Sequence, residues 1–320
     1  MDRVLRDMRI TGLTDVAETI REFALVPVDG QRLDGFSAGA HLDCEVRLPD
    51  GRAAMRAYSL VNAPGDTAAY RIAVARSDAG RGGSTFMHAL RKGGTIRVGS
   101  PRNDFPLLMS ASETLLLAGG IGITPILAMT RALSHGGRPF EVHYVGRRRE
   151  VMAYADEIEA MAGARLIFDG GDPARGLDLS GVLSGVREGR HLYVCGPRPL
   201  INAVLAKAKE AGWPQRQLHF ELFGADGPQS GDRSFTVEFA RSCKTVDVPV
   251  GRTILDVMEE IGLDPLFDCR RGECGICVTD VIEGEPDHRD MNLSEREKRA
   301  GKLICTCVSR AKGGRLVLDA

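Results

Sequence analysis

Apolar and polar positions alternate through the first hundred residues as they do in half-buried strands. Two clear examples are HLDCEVRLP (41–49) and YRIAVAR (70–76), with glycine-containing turns between them. STFMHALRKGG (84–94) is the main helical exception, and Ser84 is its predicted N-cap. The pattern predicts an antiparallel β-barrel over residues 1–106.

From residue 107 onwards, continuous apolar strands alternate with helical segments. The predicted strands are ETLLLAGG (113–120), FEVHYVG (140–146), ARLIFDG (164–170) and HLYVCGP (191–197). The predicted helices are TPILAMTRALSHGG (124–137), VMAYADEIEAMAG (151–163) and PLINAVLAKAKEAG (199–212). This alternation implies parallel strands with right-handed crossovers, and hence a doubly wound α/β domain over residues 107–224.

The segment GADGPQSGD (224–232) has glycine, proline and small polar residues but no apolar period, so residues 225–232 are the predicted linker. After it, SFTVEFA (234–240) and KTVDVPV (244–250) predict a hairpin. Thr253 is the predicted N-cap of the helix ILDVMEEIG (254–262), and GRLVLDA (314–320) is the predicted closing strand. Strands around one helix predict a small α+β domain of the β-grasp kind over residues 233–320.

Composition and charge restrict the class of protein. The 320 residues are 43% hydrophobic and 27% charged, which is ordinary for folded globular domains. A net charge of −1 gives no electrostatic reason to expect a nucleic-acid partner. The sequence has no apolar run of membrane-spanning length and no signal-peptide pattern, so we expect a cytoplasmic protein without a membrane partner. In the cytoplasm, clustered cysteines are more often metal ligands or redox centres than disulfides.

Three cysteines lie within nine residues of FDCRRGECGICVTD (267–280). Their spacing, C-x4-C-x2-C, is that of plant-type [2Fe–2S] sites, which need a fourth cysteine further on. LICTCVSRA (303–311) offers both Cys305 and Cys307. Zinc is the rival metal, but His288 has no second histidine at a metal-binding spacing. The remaining Cys44 and Cys243 are expected in the core.

This segment resembles plant-type ferredoxins, whose last ligand lies in a stretch similar to TCV. On that resemblance the ligands are Cys269, Cys274, Cys277 and Cys307, with 29 residues between the last two. Cys305 would leave 27 and is the alternative fourth ligand.

Glycines at 119, 120 and 122 lie between a predicted buried strand and a predicted helix, where backbone N–H groups can bind a pyrophosphate. The segment fails as G-x-G-x-x-G because its last position is Pro125. RAYSL (56–60), GGIGITP (119–125) and YVCGP (193–197) follow one another in the chain. This order resembles the ferredoxin–NADP reductase-like flavoproteins.

The resemblance implies a role for each matching residue. Ser59, Thr124 and Cys195 would border the reacting rings of flavin and nicotinamide. The implied flavin contacts are Arg56, Ala57, Tyr58, Ser59, Ala73, Val74, Arg81, Gly82, Gly83, Ser84 and the covering Phe223. The implied nucleotide contacts are Gly119, Gly120, Gly122, Thr124, Pro125, Cys195, Gly196 and Pro197.

The complete order of flavin barrel, nicotinamide domain and ferredoxin resembles the phthalate dioxygenase reductase family, as do PRNDFPL (101–107) and FELFG (220–224). The resemblance implies FMN, NADH and a [2Fe–2S] cluster, with electrons passed to a Rieske-type oxygenase. Asp169 and Asp172 favour NADH because they would repel a 2′-phosphate, whereas arginines 147–149 could accept one. The alternatives are a stand-alone flavin reductase for ferric or quinone acceptors, and a redox-sensing iron–sulfur module.

Overall fold

The computed structural model describes residues 4–78, 80–223 and 229–320. The chain divides into two compact units, Met1–Glu221 and Leu222–Ala320. Among the described helices, none has the length and apolar character that a membrane span requires.

Six antiparallel strands and one helix make up the N-terminal part of the first unit. They are β1 (Arg6–Ala17), β2 (Ile20–Pro27), β3 (His41–Arg47), β4 (Ala53–Ser59), β5 (Tyr70–Ala75), α1 (Gly83–Ala89) and β6 (Thr95–Val98). The strand order is β4-β3-β6-β1-β2-β5, and an antiparallel bridge from Leu60 to Ile72 joins the end of β4 to β5. The predicted barrel is confirmed, and it closes around apolar side chains such as Phe23, Leu42 and Val74.

A five-stranded sheet with helices completes the first unit. Its elements are β7 (Glu113–Gly119), α2 (Ile123–His135), β8 (Phe140–Gly146), α3 (Ala155–Glu159), β9 (Ala164–Phe168), α4 (Leu179–Leu183), β10 (Arg190–Gly196), α5 (Arg198–Glu210) and β11 (Leu218–Leu222). The strand order is β11-β10-β7-β8-β9, and the pairs β10–β7, β7–β8 and β8–β9 are parallel. This confirms the predicted α/β class.

The second unit is a mixed sheet packed on a helix. Its elements are β12 (Phe235–Phe239), β13 (Lys244–Val248), α6 (Ile254–Glu260), β14 (Val278–Glu283), β15 (Pro286–Asp287), α7 (Glu295–Ala300), β16 (Leu303–Cys305), β17 (Arg310–Ala311) and β18 (Arg315–Leu318). The β12–β13 hairpin is confirmed, and β12 also pairs with the closing strand β18 in parallel. Thr253 caps α6 as predicted, in a capping box with Asp256.

Three local predictions are wrong. Ser84 is not the N-cap of α1: the cap is Gly82, and the Ser84 hydroxyl bonds instead to the backbone of Ser77. The predicted helix 151–163 is reduced to the short α3, because Tyr154 takes a left-handed conformation (φ 59°) just before it. Cys243 is exposed in the turn between β12 and β13, also with positive φ, whereas Cys44 is buried as expected.

Candidate functional site

The parallel sheet has a crevice where its strand order reverses. The chain runs from β7 outward through β8 to β9, and then returns to place β10 on the other side of β7. In this register Cys195 lies beside Ala118, so the loops that leave both strands begin at the same edge. In open α/β sheets, ligands bind outside the carboxyl ends of the strands at such a switch point.

The two glycine-containing loops pack against each other at this edge. A Cβ atom on Gly122 would lie 2.3 Å from the carbonyl oxygen of Cys195 and 2.6 Å from the nitrogen of Gly196. A Cβ on Gly119 would lie 2.9 Å from Cδ of Pro197. Only glycine permits this approach, so the structure brings together the two segments that the sequence predicts for pyrophosphate and nicotinamide.

Thr124 and Cys195 are both buried beside this crevice. Thr124 and Pro125 lie in the first turn of α2, and the Thr124 hydroxyl donates to the carbonyl of Ile121 (3.0 Å). Cys195 is completely buried and packs in the same core as α2. Their contact with a nicotinamide ring stays a prediction.

The flavin motif lies on β4, next to the glycine-rich loop that precedes α1. Ser59 is buried, Arg56 and Tyr58 are half-buried, and Ala57 is exposed. A Cβ on Gly83 would lie 3.1 Å from both Cγ and Nε of Arg56. Arg56 of the strand motif and Gly83 of the loop, 27 residues apart in the sequence, therefore lie side by side.

The other predicted flavin contacts surround this loop. Hydrogen bonds between Ser84 Oγ and the backbone N–H and carbonyl of Ser77 (3.1 and 3.3 Å) tie the loop to the end of β5. A ring nitrogen of His88 contacts the Val74 carbonyl (2.8 Å), which joins α1 to the same strand. Ala73 and Val74 are buried in different cores, on opposite faces of β5. Arg81 is exposed.

Nucleotide choice depends on the loops after β8 and β9. Arg148 pairs with Glu18 and Glu150, and Arg149 pairs with Asp156 and Glu159; these carboxylates raise the pKa of both guanidinium groups. Arg147 is the remaining arginine, and its side chain lies beside Gly171. The Asp169 carboxylate accepts the Gly171 N–H (2.7 Å). Two of the three arginines are therefore engaged with carboxylates rather than arranged for a 2′-phosphate.

The C-terminal unit brings five thiols together. Cys307 is hydrogen-bonded to both Cys269 and Cys277, whereas the Cys305 thiol is hydrogen-bonded to Cys277. The contact with Cys307 lowers the pKa of Cys269 to about 4, and contacts with Cys305 and Cys307 lower the pKa of Cys277 to about 3. The same contacts raise the pKa of Cys305 and Cys307. Cys274 is exposed.

The backbone of the loop points donors at these sulfurs. The N–H of Arg271 donates to Cys269 Sγ (3.3 Å), and the N–H groups of Glu273 and Cys274 also bond to Cys269. Gly275 has φ +75°, and a Cβ there would lie 2.6 Å from the side-chain oxygen of Asn292. A curled loop that donates hydrogen bonds to thiolates fits a negatively charged iron–sulfur cluster.

Across the described part of the chain, no group of three or more His, Cys, Asp or Glu side chains is arranged to hold a single metal ion. A [2Fe–2S] cluster distributes four thiolates over two irons, so it needs no such group of three.

Two residues that support the loop were missed by sequence reasoning. The Asn292 side chain donates to the carbonyl of Glu273 (3.1 Å), and the Thr306 hydroxyl donates to the carbonyl of Cys277 (3.1 Å). Both bonds cross many residues of sequence, and neither residue belongs to a cysteine pattern. For Thr306, the sequence feature that could have indicated this role is its position between the two candidate ligands, Cys305 and Cys307.

Comparisons with known proteins agree with this geometry. A family model described as "2Fe-2S iron-sulfur cluster binding domain" matches residues 237–312, and one described as "Dimethylamine monooxygenase subunit DmmA-like, N-terminal domain" matches residues 95–218. Vanillate O-demethylase oxidoreductase of Pseudomonas sp. (strain HR199) is 40% identical, over 97% of this chain and 98% of its own. The heme-dependent oxidative N-demethylase beta subunit of Ectopseudomonas mendocina is 39% identical, over 98% and 99%. The solved structure of phthalate dioxygenase reductase matches with a TM-score of 0.80 and 38% identity, over 99% and 98%.

A barrel with a flavin motif, a doubly wound sheet with a glycine-lined crevice and a cluster of cysteines in one chain define a class, the iron–sulfur flavoprotein reductases. Within this class, the chain belongs to the phthalate dioxygenase reductase-like family. It is an NADH-dependent electron-transfer oxidoreductase, and its cofactors are FMN, NADH and a [2Fe–2S] cluster.

Proposed function

We propose that this chain is the reductase component of an oxygenase system, and that it passes electrons from NADH through FMN and the [2Fe–2S] cluster to a Rieske-type terminal oxygenase. The organic substrate of that oxygenase would be hydroxylated or demethylated. The observation that supports this most strongly is that the barrel, the doubly wound sheet and the ferredoxin-like unit with its cysteine cluster follow one another in one chain. Full-length similarity to a vanillate O-demethylase oxidoreductase supports it as well.

When bound, FMN accepts two electrons as a hydride and releases them singly, as the cluster requires. The chain's own residues would bind these cofactors and orient them. The crevice between β7 and β10 would place the nicotinamide beside Thr124 and Cys195, while Arg56 and the loop at Gly82 and Gly83 would hold the FMN phosphate. N–H groups of the cysteine loop would partly offset the negative charge of the cluster.

The individual assignments belong to this proposal. Cys269, Cys274, Cys277 and Cys307 would ligate the irons, and Phe223, which is partly exposed, would cover the flavin. The proposed domains are residues 1–106, 107–224 and 233–320, joined by a linker at 225–232; residues 224–228 lie outside the described part. Residence in the cytoplasm is proposed on the composition and cysteine usage.

A haem-dependent oxygenase is the second candidate partner. One full-length relative is the beta subunit of a heme-dependent oxidative N-demethylase, and the match over residues 95–218 is to a dimethylamine monooxygenase subunit. The reductase would perform the same electron transfer in either case, so the two candidates differ in the metal centre that accepts the electrons.

Reconstitution distinguishes these possibilities. NADH oxidation by the holoprotein is measured with cytochrome c, then with a purified Rieske-type oxygenase and with a purified haem oxygenase in its place. Our proposal predicts turnover with cytochrome c and faster electron delivery to the Rieske centre than to the haem. Faster delivery to the haem would select the second candidate, and equal, slow delivery to both would favour a stand-alone reductase. Negligible turnover with every acceptor would favour a redox sensor.

A further inference from the structure

Helix α2 connects the two sites between which the hydride must pass. Its first turn contains Thr124 beside the nicotinamide crevice, and Arg131 follows seven residues later, two turns along the same face. The Nη1 atom of Arg131 donates to the carbonyl oxygen of Val61 (2.6 Å). Val61 is buried two residues after Ser59, the last residue of the flavin strand β4. One arginine therefore joins the nicotinamide helix to the end of the flavin strand.

The guanidinium group of Arg131 is held in a fixed orientation. Its Nε and Nη2 atoms pair with the two carboxylate oxygens of Glu157 at 2.7 and 2.6 Å. With Nη1 bonded to Val61, all three nitrogens are engaged. Such a two-point pairing fixes the orientation of the guanidinium group as well as its distance from the carboxylate.

Tyr154 forms a second connection between the α/β part of the unit and the barrel. Its hydroxyl donates to Oε2 of Glu22 on β2 (2.9 Å), and Oε1 of Glu22 accepts from Arg71 on β5 (2.8 Å). The Arg131 guanidinium lies 5.9 Å from the centre of the Tyr154 ring. Tyr154 has a φ of 59°, which is uncommon for a residue other than glycine and points to a local constraint. The two connections form one network between the barrel and the α/β part of the first unit.

We propose that Arg131 and Tyr154 are positioning residues, which set the nicotinamide-bordering start of α2 against the flavin strand and so fix the distance for hydride transfer. The inference rests on the proposed function. In that step one hydride ion leaves NADH to give NAD⁺ and is taken up by FMN, giving its two-electron reduced anion. Neither side chain needs to touch a reacting atom, because displacements of about 1 Å can slow such reactions roughly 100-fold.

The test uses the anaerobic holoprotein in stopped-flow mixing with NADH. We expect Arg131→Ala to slow flavin reduction at saturating NADH by roughly 10- to 100-fold, with the Kd for NADH changed by less than about twofold. Arg131→Lys keeps a donor for Val61 and should recover part of the rate. Tyr154→Phe removes only a hydroxyl group and should slow reduction several-fold. A structural readout accompanies the rates: amide hydrogen exchange at residues 59–62 and at the start of α2 should be faster in the Arg131→Ala apoprotein.

A matched control removes a different contact across the same boundary. Glu18→Ala breaks the exposed pair with Arg148 (2.5 Å) but leaves the Arg131 network intact, so its flavin reduction should match that of the unaltered protein. Normal flavin reduction in both Arg131→Ala and Tyr154→Phe would overturn the positioning role, as would an equal loss in Glu18→Ala. If Arg131→Ala fails to fold, an unchanged rate in Tyr154→Phe alone overturns it. If NADH does not reduce the flavin of the unaltered protein, the proposed function fails, and the inference with it.

Discussion

At the scale of single residues, Cys305 and Cys307 show how position decides chemistry. Cys305 is the last residue of strand β16 and is directly opposite Val278 in the sheet. Cys307 follows in the turn, where its thiol is hydrogen-bonded to both Cys269 and Cys277. The Cys305 thiol contacts only Cys277, whereas the Cys307 thiol contacts two of the three loop cysteines, and we therefore keep Cys307 as the proposed fourth ligand.

Serine substitution tests this assignment. We expect Cys307→Ser to lose the visible absorbance and circular dichroism of the cluster, together with most of the bound iron, because a thiolate ligand is removed. Cys305→Ser is the matched control and should retain the cluster. The reverse outcome would make Cys305 the ligand.

The stacked rings around His219 give a prediction for the dependence of stability on pH. His219 stacks on Tyr193 and on His191, and burial lowers the pKa of His219 to about 4. Between about pH 6.5 and 4 the unfolded chain binds a proton at His219 that the folded chain does not, so stability should fall as the pH is lowered through this range.

The measurement is the unfolding midpoint of the protein with and without His219→Gln across that range. The unaltered protein should lose stability relative to the variant, by at most about 1.4 kcal/mol per pH unit. His135→Gln, at an exposed position, is the control. Parallel pH profiles for His219→Gln and the unaltered protein would contradict the prediction.

At the scale of elements, the crevice between β7 and β10 depends on a residue without a side chain. Gly122→Ala places a methyl group against the Cys195 carbonyl, so the two loops must separate. We expect NADH affinity to fall by roughly tenfold or more and stability by about 1–3 kcal/mol, with FMN and the cluster still bound. Because NADH reduces the bound flavin, its affinity is measured as the Kd from the dependence of the flavin-reduction rate on NADH concentration in anaerobic stopped-flow mixing.

Gly35→Ala is the control for this substitution, because an added Cβ there meets nothing within 4 Å. Unchanged NADH affinity in Gly122→Ala, with the same stability as Gly35→Ala, would show that the crevice does not bind the nucleotide.

Strands and helices with a strong apolar period were predictable, and elements shaped by a single backbone conformation were not. β7, β8, β10 and the long helices α2 and α5 lie close to their predicted bounds because burial on one or both faces leaves a clear pattern. The predicted helix over 151–163 failed at Tyr154, where the backbone takes a left-handed conformation and the hydroxyl bonds to Glu22 on a strand that is distant in sequence. Sequence motifs identified the loops at 119–122 and 195–197. The contact between these two loops could not be predicted from the motifs, because it depends on the order of the strands in the sheet.

At the scale of the whole molecule, the barrel and the nucleotide sheet share one core. Val61 and Ala73 of the barrel pack in the same cluster as Leu127 and Tyr144 of the α/β part. The sequence predicted these parts as separate domains, because periodicity reports that a face is buried and not which element covers it. Their order in the chain, and the ferredoxin-like unit after them, could be predicted because each has its own motif.

The central claim is that electrons from NADH reach the iron–sulfur cluster through the flavin of the same chain. Anaerobic titration of the holoprotein with NADH, followed by absorbance and by electron paramagnetic resonance, tests it most directly. FMN accepts two electrons and the cluster one, so complete reduction should need about 1.5 equivalents of NADH and produce the signal of a reduced [2Fe–2S] centre. Bleaching of the flavin with a cluster that stays oxidised, while dithionite reduces it readily, would contradict the account.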